Sequence, residues 1–251
     1  MALYKSILVA KADLKMAMKV RMVRYGLIGI GALGPITMLG TVALLVYGDP
    51  VFGLLLLPSI STMLAPMLGM IAVIPASMIA ANALVGEKEM NTLEPLLSTP
   101  LTDRELLIGK LLSSFVPSMA LLLGSIIISE IGTFIILSSV GADFILIPGL
   151  PGLFLLLTAG PTLIVAIVSV MILISGRVKR VYEAYQMSGV LVMVFILPMM
   201  LPIMTMEATG TVDINSVWMW NIITFLVTLV LAASTWALAV RKFNRDTMIT
   251  M

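Results

Sequence analysis

The sequence predicts an all-α membrane protein with six transmembrane helices. Of its 251 residues, 60% are hydrophobic and only 11% are charged, and the mean hydropathy is +1.14. One soluble core cannot bury so much apolar surface, so the chain is predicted to lie in a bilayer. A span needs roughly 20 predominantly apolar residues to cross about 30 Å of hydrocarbon, and runs of that length recur. The predicted spans lie near residues 25–47, 53–85, 106–137, 152–175, 188–206 and 216–240.

The first 24 residues predict an amphipathic, interfacial helix on the membrane surface. Basic residues are spread along this stretch, whereas a cleavable signal has a short basic start before an apolar core. Apolar residues would share one helical face and most lysines would point away from it, which suits binding to an anionic leaflet. The alternative is a solvated basic leader. The predicted apolar face comprises Leu3, Ile7, Leu14 and Met18.

The distribution of charge predicts the orientation of the spans. With the N-terminus in the cytoplasm, all 15 Lys and Arg residues fall on the cytoplasmic side, as the positive-inside rule requires. The chain is therefore predicted to be a multi-pass protein of the cell (plasma) membrane with both termini cytoplasmic. Five or seven spans would move a basic cluster outside. The outer loops carry only the acids Asp49, Asp143, Glu207 and Asp213.

The outer connections are predicted to be short. The longest clearly polar one, 207–215, is too short for a folded extracellular domain. Between residues 140 and 152 the chain is apolar but interrupted by glycines and prolines. Such breakers are tolerated at membrane depth only against protein or water, so this stretch is either a shallow re-entrant hairpin or an ordinary loop.

A charged segment between the second and third spans predicts a short helix. From residue 86 to residue 100 it reads GEKEMNTLEPLLSTP. Asn91 or a neighbour can cap the helix and Glu94 can return a hydrogen bond, while Pro95 falls in the first turn, where its missing N–H does least harm. A second capping box, Thr102-x-x-Glu105, starts the third span. The apolar face of the short helix comprises Leu93, Leu96 and Leu97.

This segment resembles the signature G-E-K-E-x-G-T-L-E-x-L-L-x-T-P of type-2 ABC exporter permeases, and residues 105–110 are similar to their E-L-L-x-G-K. Asn91 stands where that family usually has Gly, and both residues tolerate positive φ. The resemblance implies the type-2 ABC exporter fold, in which 86–105 is a cytoplasmic coupling segment whose helix fits a groove on an ATPase subunit. The alternative is that any polar loop between two spans holds charge and capping residues.

The resemblance also implies the function and the partners. The chain would be the transmembrane permease subunit of an ATP-driven exporter, coupling ATP hydrolysis by a separate cytoplasmic ATP-binding subunit to substrate export. A second copy of itself or a related permease would complete the pathway in the lipid bilayer. ATP and Mg would be held by the partner ATPase, and no cofactor is expected in this chain. Residues 1–251 would form a single transmembrane domain.

A second patch, 175–186, resembles the S-x-R-x-x-x-x-x-E-A-x-Q stretch that precedes the fifth span in sodium-exporter-like permeases of the same class. Tyr185 stands where a polar residue is more common there. The alternative is a positive-inside anchor made by snorkelling Arg and Lys side chains. The residues predicted to couple the permease to the ATPase are Glu87, Glu89, Asn91, Thr92, Leu93, Glu94, Leu97, Thr99, Glu105, Arg177 and Glu183.

Methionine is abundant, with 21 residues, and part of it is patterned along two predicted spans. Flexible thioethers suit a surface that must repack around cargo, although packing and lipid contact are the commonest uses of such residues. The candidate pathway residues are Met63, Met67 and Met70 on the second span and Met193, Met200 and Met204 on the fifth.

The sequence argues against an enzyme. It has no cysteine and no histidine, which excludes disulfides, thiol nucleophiles, imidazole bases and Cys/His metal sites. It also lacks G-x-x-x-x-G-K-[ST], so we do not expect the chain to hydrolyse ATP. Glu130 lies roughly 30 Å along a helix from Lys110, near the outer interface, where an acid costs little. A non-transporting anchor or signalling subunit is the alternative function, and no nucleic-acid partner is predicted.

Overall fold

The computed structural model describes residues 2–89, 101–175, 178, 180–200 and 214–242, and the regular structure of this part is helical, without a strand. α3 continues without a break into a π-helical turn, Asn82–Gly86, and a further helical turn, Glu87–Glu89. The helices are α1 (Ala2–Ala17), α2 (Arg21–Gly48), α3 (Pro50–Ala81), α4 (Asp103–Ser139), α5 (Gly149–Ser175), α6 (Val181–Met200) and α7 (Ile214–Lys242).

Within the described residues, five helical stretches are long and apolar enough to cross a membrane: α2, the Leu64–Ala81 part of α3, α4, α5 and α7. This confirms the prediction of an all-helical, multi-pass membrane protein. α6 runs into the fifth predicted span, so a count of six stays a prediction. With 37 residues, α4 is about 56 Å long. That length exceeds the roughly 30 Å of hydrocarbon, so α4 must tilt or extend beyond the membrane.

α3 is the central helix of the bundle, because it packs against α2, α4, α5 and α6. Of its Leu64–Ala81 part, 78% is buried. Small side chains let neighbouring helices approach closely where no hydrophobic force distinguishes protein from lipid. Small residues buried along α3 include Ala65, Ala72, Ala76 and Ala80.

Polar side chains join α7 to α5 inside the bundle. Nδ2 of Asn221 donates to the backbone oxygen of Pro151 at 2.8 Å, and the hydroxyl of Thr162 donates to that of Thr228 at 2.8 Å. A polar group in hydrocarbon is costly without a partner. These bonds therefore help to set the register of α7 against α5.

Only Asp49 separates α2 from α3. Its Oδ1 accepts a hydrogen bond from the backbone N–H of Phe52 at 3.2 Å. Pro50 occupies the first helical turn, where its missing N–H is not needed. α3 therefore starts directly after Asp49 and runs back along α2.

The N-terminal helix is shorter than predicted. The sequence predicts it over residues 1–24, but α1 ends at Ala17 and α2 begins at Arg21. Backbone bonds of the i→i−3 type across residues 16–20 tighten the last turn. Neither Gly nor Pro marks this stop, so the sequence contains no local signal for it.

Helical structure also continues beyond the predicted end of the second span at residue 85. The π turn and the turn Glu87–Glu89 extend α3 by a further eight residues, from 82 to 89. The first residues of the predicted coupling segment are therefore a continuation of α3. The short helix predicted near 91–98 lies outside the described residues.

An irregular connection, 140–148, joins α4 to α5. α4 ends in a Schellman motif, because the N–H of Gly141 donates to the oxygen of Ser138 and that of Ala142 to the oxygen of Leu137. Gly141 has φ +69°, a conformation that favours glycine. Ile147 and Pro148 are buried. The connection contains no helical hairpin, and its last residues pack into the bundle.

Candidate functional site: a buried charge cluster

Three charged side chains are buried where α1, the end of α3 and α4 meet. Asp13 and Lys110 are each 2% exposed and Glu87 is 4% exposed. Nζ of Lys110 lies 2.7 Å from Oε2 of Glu87 and 3.5 Å from Oδ2 of Asp13. Asp13, Glu87 and Lys110 form the charge cluster.

Lys110 engages all of its N–H donors. An ammonium has three, and the third donates to the backbone oxygen of Ala83 at 2.5 Å. Ala83 belongs to the π turn, where the regular hydrogen-bond ladder of the helix is shifted. Lys110 therefore ties α4 to both the backbone and a side chain at the end of α3, and its own burial is compensated.

Burial raises the pKa of both carboxyl groups in the charge cluster. It raises the pKa of Glu87 to about 7, with Lys110 acting in the opposite direction and the nearby Asp13 adding to the rise. Burial likewise raises the pKa of Asp13, against the lowering effect of Lys110. Two carboxyls share one ammonium, so full ionisation would leave an excess negative charge in a buried place.

α1 packs against α4 through the face that carries Asp13. The hydroxyl of Ser6 donates to the backbone oxygen of Glu105 at 3.0 Å. From the predicted apolar face, Ile7 is 50% and Met18 39% exposed. These two side chains therefore point away from the bundle, whereas Leu14 of the same predicted face is half-buried. The buried face, at helical spacing, comprises Ser6, Val9, Asp13 and Ala17.

Two separately predicted patches, 86–100 and 175–186, come together beside the charge cluster. Asn82 of the π turn donates through Nδ2 to the hydroxyl of Tyr185 in α6. Oε2 of Glu89 accepts a hydrogen bond from the backbone N–H of Val181 at 3.0 Å. A carboxylate is favourable there, because the first amides of a helix have no partner within it. The end of α3 thus holds the start of α6.

Four of the predicted coupling residues are described. Glu87 faces Lys110 inside the chain, so any role it has in coupling is to position other residues. Glu183 is exposed on the first turn of α6. Glu105 forms the predicted capping box: its Oε2 accepts from the N–H of Thr102 at 2.9 Å, and its own N–H donates to the Thr102 hydroxyl at 3.3 Å. The fourth is Glu89. Those outside the described residues are Asn91, Thr92, Leu93, Glu94, Leu97, Thr99 and Arg177.

The described pathway candidates lie at the surface of the chain or near it. Met67 is 46% and Met193 74% exposed, and Met70 is half-buried. Exposure suits a pathway, a lipid contact or a contact with a second copy, so the pathway assignment stays a prediction. Met204 and the side chains of Met63 and Met200 lie outside the described residues.

Sequence reasoning missed the pairing of Asp13 with Lys110. Asp13 is the only acid among the first 24 residues, and it lies at helical spacing from Val9 and Ala17. Lys110 lies inside the third apolar run, where an ionisable residue needs a partner. Each residue is notable by itself, but no local sequence pattern connects two residues that are 97 positions apart.

Glu130 of α4 is a separate, half-buried acid whose two carboxylate oxygens are buried. Its carboxylate oxygens lie near the backbone of Ile147 without a hydrogen bond of ordinary geometry to any described residue. Across the described ranges, no group of three His, Cys, Asp or Glu side chains could hold a metal ion.

Comparison with known proteins identifies one family. The family described as ABC-2 family transporter protein matches residues 5–238. That range takes in α2 to α6 completely, and α1 and α7 except for their outermost residues. No individual curated protein matches the chain.

Proposed function

The chain belongs to the ABC-2 family of transporter proteins, and we infer that it is the permease subunit that couples ATP hydrolysis by a separate ATP-binding subunit to substrate export. Family membership supports the permease role and the partnership with an ATP-binding subunit. ATP and Mg would be bound by that partner, since this chain lacks G-x-x-x-x-G-K-[ST].

The proposed arrangement has six spans, formed by α2 to α7, with both termini in the cytoplasm of a cell membrane. The confinement of Lys and Arg to one side supports this orientation. α6 would be the fifth span, and its 20 residues suffice to cross the hydrocarbon. α1 would lie at the cytoplasmic membrane surface, with the exposed Ile7 and Met18 toward lipid.

One contact carries the coupling proposal, the hydrogen bond between Glu89 and Val181. It joins the segment that resembles the coupling element of type-2 exporters to the patch that resembles the stretch before their fifth span. The helix predicted near residues 91–98 would follow Glu89 almost directly in the chain. Its displacement by the ATPase would therefore act on α3 and α6 together.

α3 and α6 also carry the exposed Met67 and Met193. A pathway between these helices would open and close as the ATP-binding subunits move the coupling segment, which is alternating access by rigid elements. A second copy or a related permease would complete that pathway. The sodium-exporter-like subgroup is proposed from the 175–186 patch alone, within which Tyr185 contacts Asn82.

Replacement of Leu93 and Leu97 by alanine tests the docking. Burying a leucine side chain is worth roughly 1.5 to 3 kcal/mol, so loss of either covered side chain should weaken binding at least about tenfold. The double variant should stay a folded membrane protein yet no longer retain its ATP-binding subunit, or no longer stimulate ATP hydrolysis by that subunit. Co-purification and ATPase activity are the measurements.

Leu44→Ala with Leu55→Ala is the matched control, because both leucines are exposed, at 75% and 74%, and lie near Asp49, at the opposite end of α3 from Glu89. Wild-type retention and stimulation in the Leu93/Leu97 variant would reject the docking assignment. A complex that binds and stimulates the ATPase but moves no solute into vesicles would instead favour a non-transporting subunit.

A further inference from the structure

The coupling proposal leaves the charge cluster without a role. Glu87 belongs to the signature segment but is 4% exposed, so it cannot reach a groove on another protein. Its partner Lys110 lies about 10 Å along α4 from Asp103. The cluster joins three elements that leave it in different directions: α1, the π turn that leads to the coupling segment, and α4.

The charges of the cluster do not balance when every group is ionised. Asp13 and Glu87 would carry two negative charges against the single positive charge of Lys110. An uncompensated charge in a buried site is strongly unfavourable. One proton on either carboxyl makes the cluster neutral, and the raised pKa values of both carboxyls agree with this.

Within the described ranges, few other ionisable groups face Glu87. α3 and α5 have no ionisable residue within their helical bounds, and α6 contributes Tyr185, which reaches the π turn through Asn82. α1 contributes Asp13 and α4 contributes Lys110, the two charges that act on the Glu87 carboxyl. Among the described residues, the charges that act on the Glu87 carboxyl therefore belong to the cluster.

A cavity of about 40 Å³ lies beside the cluster, between α1 and the π turn. Asp13 and Glu87 line it, together with Val20, Asn82 and Gly86. This space is large enough for one or two water molecules, which would have the carboxyls as hydrogen-bond partners. A proton can therefore exchange at the carboxyls without separation of the helices.

We propose that Asp13, Glu87 and Lys110 form a proton-binding joint, which holds α1 to the start of the coupling segment when one carboxyl is protonated and loosens α1 when both are ionised. α1 is the element that should move, because Asp13 is 3.5 Å from Lys110 whereas Glu87 is 2.7 Å away. The joint itself does not depend on the proposed function, but its effect on transport does.

The joint can be tested without the ATPase, by a distance between α1 and α4. The chain has no natural cysteine, so spin labels can be placed at Leu8 and Leu123, which are 50% and 44% exposed. Pulsed EPR at about pH 6 and about pH 8.5 brackets the pKa of Glu87. We expect the distance distribution to shift to longer values and broaden at the higher pH.

Two neutral variants decide the cause of that shift. Gln at position 87 keeps an oxygen for Lys110 but cannot ionise, so Glu87→Gln should hold the low-pH distribution at both pH values. Asp13→Asn removes the other ionisable carboxyl, so it should also hold the low-pH distribution at both pH values. A control pair at Leu44 and Leu123 should not respond to pH. No shift in the parent, or the same shift in both neutral variants, would overturn the proposal.

A second measurement tests the effect on coupling. Stimulation of the ATP-binding subunit, relative to its own activity at each pH, should fall from about pH 6 to about pH 8.5 in the wild type and stay level in Glu87→Gln. An equal fall in both proteins would overturn the coupling role of the joint. If the wild type retains no ATP-binding subunit at either pH, the proposed function fails, whereas the distance measurement still decides the joint.

Discussion

Gly109 of α4 lies so close to Val9 of α1 that a Cβ at Gly109 would stand 2.8 Å from the Cβ of Val9 and 3.0 Å from the backbone oxygen of Ser6. Neither atom is the end of a flexible side chain, so any larger residue would force α1 away from α4. Gly109 immediately precedes Lys110. This contact therefore helps to set the distance between Lys110 and Asp13.

Gly109→Ala should displace α1 and destabilise the protein by about 1–3 kcal/mol, the usual cost of overpacking a tight contact. The measurement is the melting temperature in detergent, together with proteolytic cleavage of α1. Gly124→Ala is the matched control in the same helix, since a Cβ there meets nothing within 4 Å and alanine favours helix. Equal melting temperatures for the two variants would contradict the close contact.

Stability should fall as pH rises from about 4.5 to about 7, because burial raises the pKa of Glu87 from the ordinary glutamate value of 4.5 to about 7. In that window the folded chain keeps a proton that the unfolded chain has lost, so raising the pH favours unfolding. The loss is on the order of 3 kcal/mol. Glu87→Gln should show a smaller fall in melting temperature over the same window, and a parallel fall would contradict this origin.

The proposed orientation predicts which introduced cysteines react with a membrane-impermeant maleimide. Single cysteines at Asp143 and Asp213 should react from outside intact cells, because only acids occupy the outer loops. A cysteine at Lys11, which is exposed on α1, should react only after permeabilisation. Labelling of the first two from the cytoplasm alone would rule out the six-span arrangement.

The pathway assignment predicts a selective loss of transport. Lysine or tryptophan at Met67 and at Met200 should change transport and leave assembly with the ATP-binding subunit intact, because a lining surface meets cargo rather than the protein core. The same replacements at Met219, which is 53% exposed on α7, serve as the control. Normal transport by both pathway variants would assign these methionines to packing.

Local signals in the sequence were sufficient for much of the fold. Runs of apolar residues predicted α2, α4, α5 and α7 close to their observed bounds, because a backbone in hydrocarbon must satisfy its hydrogen bonds within a helix. The capping box of Thr102 and Glu105 was also predicted, since all of its atoms lie within one turn. These features depend on neighbours in the chain and need no tertiary contact.

The charge cluster depends on tertiary structure. Asp13 and Lys110 are 97 residues apart, and no local pattern in the sequence shows that they are partners. Their pairing requires α1 to pack closely against α4 at Gly109. The sequence pattern of α1 alone does not specify that contact. The sequence by itself determined where the helices form, through local hydrogen bonding and hydropathy. Only the packing of distant helices decided which charges are buried together, because burial turns a solvated charge into one that requires a partner.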